Sequence, residues 1–215
     1  MSPLRKVFTD GRLAIIVVVA ILLIDQTIKI WVKTSMCLHE SIRITNWFYI
    51  NYIENIGMAF GMQIGSKITL SLFRTVAIAF LTYYIYQLIK KQARTSYILC
   101  LSMVLAGAIG NLIDSMFYGL CFAGSSEFYT SYFMPFGTGY APFLMGKVVD
   151  MFYFPLIETN WPDWMPLVGG DHFVFFSPVF NFADASISVG VVLLLLFFRK
   201  EISEISFKRE VKQEE

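Results

Sequence analysis

The sequence predicts a mainly α-helical membrane protein with four transmembrane helices, a small extracytoplasmic β-sheet and an outer amphipathic segment. Three observations predict it. Hydrophobic residues make up 56% of the 215 and charged residues only 15%, against about 25% charged in an ordinary soluble domain. Four apolar stretches are each long enough to span about 30 Å of hydrocarbon as helix. Basic residues collect at one side of these stretches, the pattern that orients membrane helices.

The four stretches run from about 11 to 31, 68 to 89, 96 to 117 and 179 to 198. Arg5, Lys6 and Arg12 precede the first, whose apolar run ends at Ile24. A cleaved leader would need a small-x-small site there; Asp25-Gln26-Thr27 follows instead, which favours a retained helix. Lys90, Lys91 and Arg94 join the second stretch to the third, and the tail 199–215 carries Arg199, Lys200, Lys208, Arg209 and Lys212. Eleven of seventeen basic residues therefore lie on one side, while the outer segments 32–66 and 118–178 hold only Lys33, Arg43 and Lys147. Both termini are expected in the cytoplasm, and the whole chain, 1–215, is expected to form one domain.

Within the first outer segment, IRITNWFYINYI (residues 42–53) has the β-branched and aromatic content of a strand. Alternation puts Ile42, Ile44, Phe48, Ile50 and Tyr52 on one face. The second outer segment, at about sixty residues, is too long for an idle connection. Its Gly and Pro alternate with Phe, Tyr, Trp and Met, a composition suited to the water–lipid interface, and its WPDW stretch reads as an anchor, with no chemistry expected of Asp163.

Other chemistries lack their signatures. A net charge of +1 gives no sign of nucleic-acid binding. His39 and His172 are isolated and no Cys/His spacing matches a zinc site, so neither metal nor cofactor is expected. Cys37 and Cys121 both fall outside, where a pairing is open to them, and Cys100 lies inside a helix; the simplest reading is three unlinked thiols. No glycine-rich phosphate loop and no Ser-His or Cys-His signature is evident.

What remains is a set of acids at one depth. Asp25, Asp114 and Asp184 fall near the outer ends of their helices, and Asp150 is expected in the outer loop between the last two. Gly107, Asn111 and Asp114 share a helix face by their spacing, as do Asn181, Asp184 and Ser188, with Ser177 and Pro178 marking the start of the fourth helix. An acid facing lipid costs at least about 2.5–3.5 kcal/mol, so both stripes are expected to face protein or water. Gly107 and Gly110 allow a neighbouring helix to come close, and spacing by itself pairs Asp114 with Asp184. Two carboxylates that share a proton can act as base on a water and acid on a carbonyl, which is peptide-bond cleavage. Acids also build proton relays, which leaves a small proton-coupled transporter subunit as the alternative; a relay needs steps across the bilayer, and these acids occupy one level.

These residues fall in an order that resembles the bacterial lipoprotein signal peptidases, the type II signal peptidases. DQTIK carries Asp25 and Lys29; NIGMAF carries Asn55, Gly57, Ala59 and Phe60; GNLID carries Gly110, Asn111 and Asp114; VVD ends at Asp150; FNFAD carries Phe180, Asn181, Ala183 and Asp184. The resemblance implies a four-helix aspartic endopeptidase of the bacterial inner membrane, whose sheet cradles the substrate beside an outer amphipathic helix. It would cut diacylglyceryl-modified prolipoproteins before the lipidated cysteine, near the outer leaflet, as a monomer among membrane lipids and without a cofactor. By resemblance the catalytic pair is Asp150 and Asp184, with Asn111, Asp114 and Asn181 orienting it and Asn55, Gly57, Ala183, Asp25 and Lys29 in support. Three departures stand out: Ser115 where the family has Arg, with Arg74 or Lys147 as other sources of charge; Met151 in place of an aromatic; and long spacings on either side of Asp150.

Overall fold

The computed structural model describes residues 3–56 and 66–203. Helix α1 (Pro3–Ser35) is followed by strands β1 (Ser41–Arg43) and β2 (Tyr49–Asn55), then α2 (Lys67–Lys90) and α3 (Thr95–Ile113). A π-helical turn, Asp114–Tyr118, runs into the short α4 (Gly119–Cys121). Strands β3 (Val148–Tyr153), β4 (Ile157–Asn160), β5 (His172–Phe175) and β6 (Val179–Phe180) precede α5 (Phe182–Phe197).

Three of the described helices, Lys6–Ser35, Lys67–Lys90 and Thr95–Cys121, are long and apolar enough to cross a membrane. With 16 residues, α5 reaches about 24 Å, short of the roughly 30 Å of bilayer hydrocarbon. Ile15, Val19 and Leu23 on α1, Leu72, Val76 and Phe80 on α2, and Leu195 and Leu196 on α5 are all exposed. Apolar surface on this scale faces lipid rather than water.

The chain divides into two compact units. One comprises the described residues of Met1–Ile24, Phe73–Asn111 and Ala183–Glu215. Its core joins Ala14, Ile85, Ile98, Leu101, Leu105 and Leu194 from four helices. Here α3 and α5 touch through glycine: a Cβ at Gly107 would stand 2.2 Å from the Ala183 carbonyl oxygen, and one at Gly190 2.9 Å from that of Cys100. The close approach expected at Gly107 is therefore present, as small residues permit between membrane helices. Lys6 donates to the Gln92 carbonyl at 2.8 Å, and Arg94 pairs with Glu201 at 3.4 Å.

The other unit, Asp25–Leu72 with Leu112–Phe182, holds the sheets. Strands β1, β2, β3 and β6 lie in that order, all antiparallel, while β4 and β5 form a separate hairpin. Val149 and Met151 of β3 bury one face against Tyr52, Phe122, Val32 and Met36. Between Ile50 and Ile53 the register slips by one residue, a bulge that pairs Ile53 with Asp150.

Several expectations are corrected here. The strand expected over 42–53 is two strands joined by a turn in which Ile44 and Thr45 donate to the Phe48 carbonyl. Ile42 and Ile44 are consequently exposed, while Ile50 and Tyr52 are buried. Val179 and Phe180 pair with Tyr153 and Phe152 as an edge strand, so α5 begins at Phe182 and Ser177-Pro178 does not start it. Asn181 stands before the helix rather than on its face, and Ser188 is exposed. Asp150 lies inside β3 rather than in a loop, because the apolar, β-branched run around it is paired on both edges. Among the described residues of 118–178, strands and turns fill the outer segment, and the only helix is Gly119–Cys121 together with the end of the π turn.

Candidate active site

The residues singled out in the sequence form three clusters. The first surrounds Asp150, which is buried in β3. Ile53 is its cross-strand partner, so Asn55, two residues further along β2, projects to the same side. The Asn55 amide donates to Asp150 Oδ2 at 3.2 Å and the Asn181 amide donates to Oδ1 at 2.7 Å. Asn181 is itself fully buried between β6 and α5. The strand-to-helix junction thus delivers an amide to a carboxylate that would otherwise be costly to bury.

The second cluster lies on the helices. Asp184, in the first turn of α5, accepts from the Asn111 amide of α3 at 2.7 Å. Acids near a helix N-terminus also gain from the helix dipole. Ala183 is fully buried, its carbonyl seated over Gly107. The contact expected between the stripes of α3 and α5 is therefore made by Asn111 and Asp184, and Asp114 is occupied elsewhere.

That third cluster is ionic. Lys29 is fully buried, 3.0 Å from Asp25 and 2.9 Å from Asp114, both fully buried as well. Gln26 donates to Asp114 Oδ1 at 2.9 Å and accepts from the Tyr118 hydroxyl at 3.1 Å. Asp114 Oδ2 also accepts the Val149 backbone N–H at 3.3 Å, which fixes β3 one residue before Asp150. Asp114 opens the π turn, and that local widening, a feature frequent at functional sites, turns it toward α1. Gly146 lets the returning loop pass: its N–H donates to the Ser115 carbonyl, and a Cβ there would stand 2.2 Å from the Asp114 carbonyl oxygen.

A fourth network was not singled out in the sequence. Glu54 accepts from Lys33 at 2.5 Å, Lys147 at 2.9 Å, Ser125 at 2.7 Å and the Tyr52 hydroxyl at 2.9 Å. Burial raises the Glu54 carboxyl, but Lys33 and the surrounding donors more than offset it and hold its pKa at about 2. Burial, then the Glu54 charge, pushes the Tyr52 hydroxyl upward. Lys147 is therefore committed to Glu54, and Ser115, where the family has Arg, is fully buried. Gly57, with Ala59 and Phe60, lies outside the described residues. Cys37, Cys100 and Cys121 are free thiols.

Apolar helices, a small antiparallel sheet and buried acids held by amides define a membrane enzyme. The fold is similar to two solved bacterial membrane enzymes: one matches with a TM-score of 0.57 and 23% identity over 87% of this chain and 92% of that one, the other with 0.58 and 22% over 89% and 90%. Residues 17–199 match the family model described as signal peptidase (SPase) II. The lipoprotein signal peptidase of Porphyromonas gingivalis is 50% identical over 204 residues, 94% of this chain and 90% of that protein. That of Amoebophilus asiaticus is 35% identical, covering 97% and 85%. The chain belongs to the signal peptidase II family and is a membrane peptidase.

Proposed function

We propose that this chain is an aspartic endopeptidase that removes the signal peptide of lipid-modified prolipoproteins, with Asp150 and Asp184 as its catalytic pair. One observation carries the choice of pair: Asn181, the amide donor to Asp150, stands three residues before Asp184 in the chain, and Asp184 is in turn held by Asn111. An amide orients a carboxylate without the strong bias toward ionisation that a neighbouring ammonium exerts. Lys29 is ion-paired with both Asp25 and Asp114, which suits them to hold structure and leaves the amide-held Asp150 and Asp184 as the pair. One acid then activates water while the other protonates the departing amide.

Supporting roles follow the clusters. Asn55, Asn111 and Asn181 position the acids; Asp114, held by Lys29 and Gln26, fixes the strand that carries Asp150; Ala183 keeps α5 close to α3. The reading extends to four crossings, α5 among them, with both termini in the cytoplasm and a monomer whose site lies near the outer leaflet. The family match lends no support to a transporter.

Asp150→Asn and Asp184→Asn, assayed in detergent on a diacylglyceryl-modified precursor, are each expected to lower cleavage by at least about 10²–10⁴-fold, the range of general acid–base catalysis. Wild-type rates in either variant, with the fold retained, would overturn the assignment.

A further inference from the structure

We infer that the groove between α1, α2 and α3 is a binding site for an anionic phospholipid, one acyl chain lying along it and the phosphate held by Arg12 and Lys90. The groove has a volume of about 420 Å³. Gly11 and Val19 of α1, Tyr86 and Ile89 of α2, and Ser102 and Leu105 of α3 line it. It lies wholly within the helical unit, among helices whose outward residues face lipid. The eight steps from Gly11 to Val19 span about 12 Å of helix, enough for much of an acyl chain. Gly11 leaves the space open: a Cβ there would meet nothing within 4 Å.

Charge selects the headgroup. Gly11 and Ile89 lie at the basic ends of their helices, next to Arg12 and Lys90. The Lys90 ammonium sits 4.5 Å above the ring of Tyr86, itself a groove residue, and the Arg12 guanidinium 4.1 Å above Phe8. Among the described residues neither cation has an acidic partner, since the ion pairs use Lys29, Lys33, His39, Arg94 and Lys147. The nearest acid in sequence, Asp10, is buried and accepts from the Thr95 hydroxyl at 2.9 Å, so it is not presented to the mouth. An apolar slot between transmembrane helices, whose lining residues Gly11 and Ile89 adjoin two cations that have no acidic partner among the described residues, fits a phosphate headgroup with its chain below.

The full chain in detergent, supplied with phosphatidylglycerol or phosphatidylcholine of identical chains and read by native mass spectrometry, tests this. Wild type is expected to retain phosphatidylglycerol in preference to phosphatidylcholine. Each cation contributes about fivefold, so Arg12→Gln with Lys90→Gln removes the preference. Gly11→Leu fills the groove and lowers retention of both lipids, while leucine favours the helix more than glycine does. All variants keep the melting temperature and precursor cleavage of wild type, because these residues lie outside the catalytic machinery. Glycerol phosphate without acyl chains is expected not to displace the lipid. Equal retention of the two lipids by wild type, a preference that survives the double substitution, displacement by glycerol phosphate, or a dimer that Gly11→Leu dissolves would each overturn the inference.

Discussion

Asn181 donates its side-chain amide to Asp150 Oδ1 across 2.7 Å, and both residues are buried. Asn181 stands directly before α5 and holds one carboxylate oxygen while the backbone turns from β6 into the helix. Asn181→Leu keeps most of the volume and leaves that oxygen short of a donor, a defect of about 1–3 kcal/mol. Expressed in the reaction it lowers kcat about 10–100-fold with little change in KM, as single-turnover cleavage of a lipidated precursor will measure. A KM-only effect would assign Asn181 to substrate contact instead.

Lys29 neutralises Asp25 and Asp114 where none of the three side chains is exposed to solvent. Lys29→Met leaves two buried carboxylates uncompensated and is expected to cost about 3–5 kcal/mol. In a chain of this size that lowers Tm by about 6–20 °C. Adding Asp25→Asn and Asp114→Asn should recover much of the loss, and thermal melting in detergent of the single and triple variants checks both statements.

Glu54 carries a pH dependence of definite sign. Its carboxyl is held at about 2, below its ordinary value of 4.5. The folded state therefore binds this proton less readily than the unfolded chain, and the associated stability is complete above about pH 5 and fades as pH falls toward 2. Glu54→Gln should be less stable than wild type at pH 7, with the gap in Tm narrowing through that acid window. A gap that stays constant with pH would show that packing, not charge, accounts for it.

Gly107 sets the separation of α3 and α5. Gly107→Val forces a side chain against the Ala183 carbonyl and should cost about 1–3 kcal/mol by overpacking. Because Ala183 precedes Asp184, activity is expected to fall further than stability. Melting and cleavage assays on one preparation separate the two.

The apolar helices are legible in the sequence because twenty-residue runs and their basic flanks need no partner to be recognised, as α2 shows by matching its expected bounds within a residue at each end. Strand β6 is not, since nothing in the hydropathy separates Val179 and Phe180 from the apolar run beyond; only pairing with Phe152 and Tyr153, distant in sequence, makes them a strand. Spacing sets the stripes of α3 and α5 against each other but pairs Asp114 with Asp184, because it cannot foresee the π turn that hands Asp114 to Lys29 and leaves Asn111 to meet Asp184. The Glu54 network escapes for a different reason. Its acid sits in a strand and its partners are scattered, although Lys33, four residues after Lys29 and eight after Asp25, shares their helix face and was a usable sign.

The burial of Lys29 between two acids has an effect in brine. Dissolved ions weaken only the attractions they can surround, and the Debye length falls to about 3 Å at 1 M salt. The Arg94–Glu201 pair, open to solvent, will loosen under such conditions. The sealed Asp25–Lys29–Asp114 rivet will not, so the junction of α1 with the π turn stays fastened at ionic strengths that undo the basic side of the molecule.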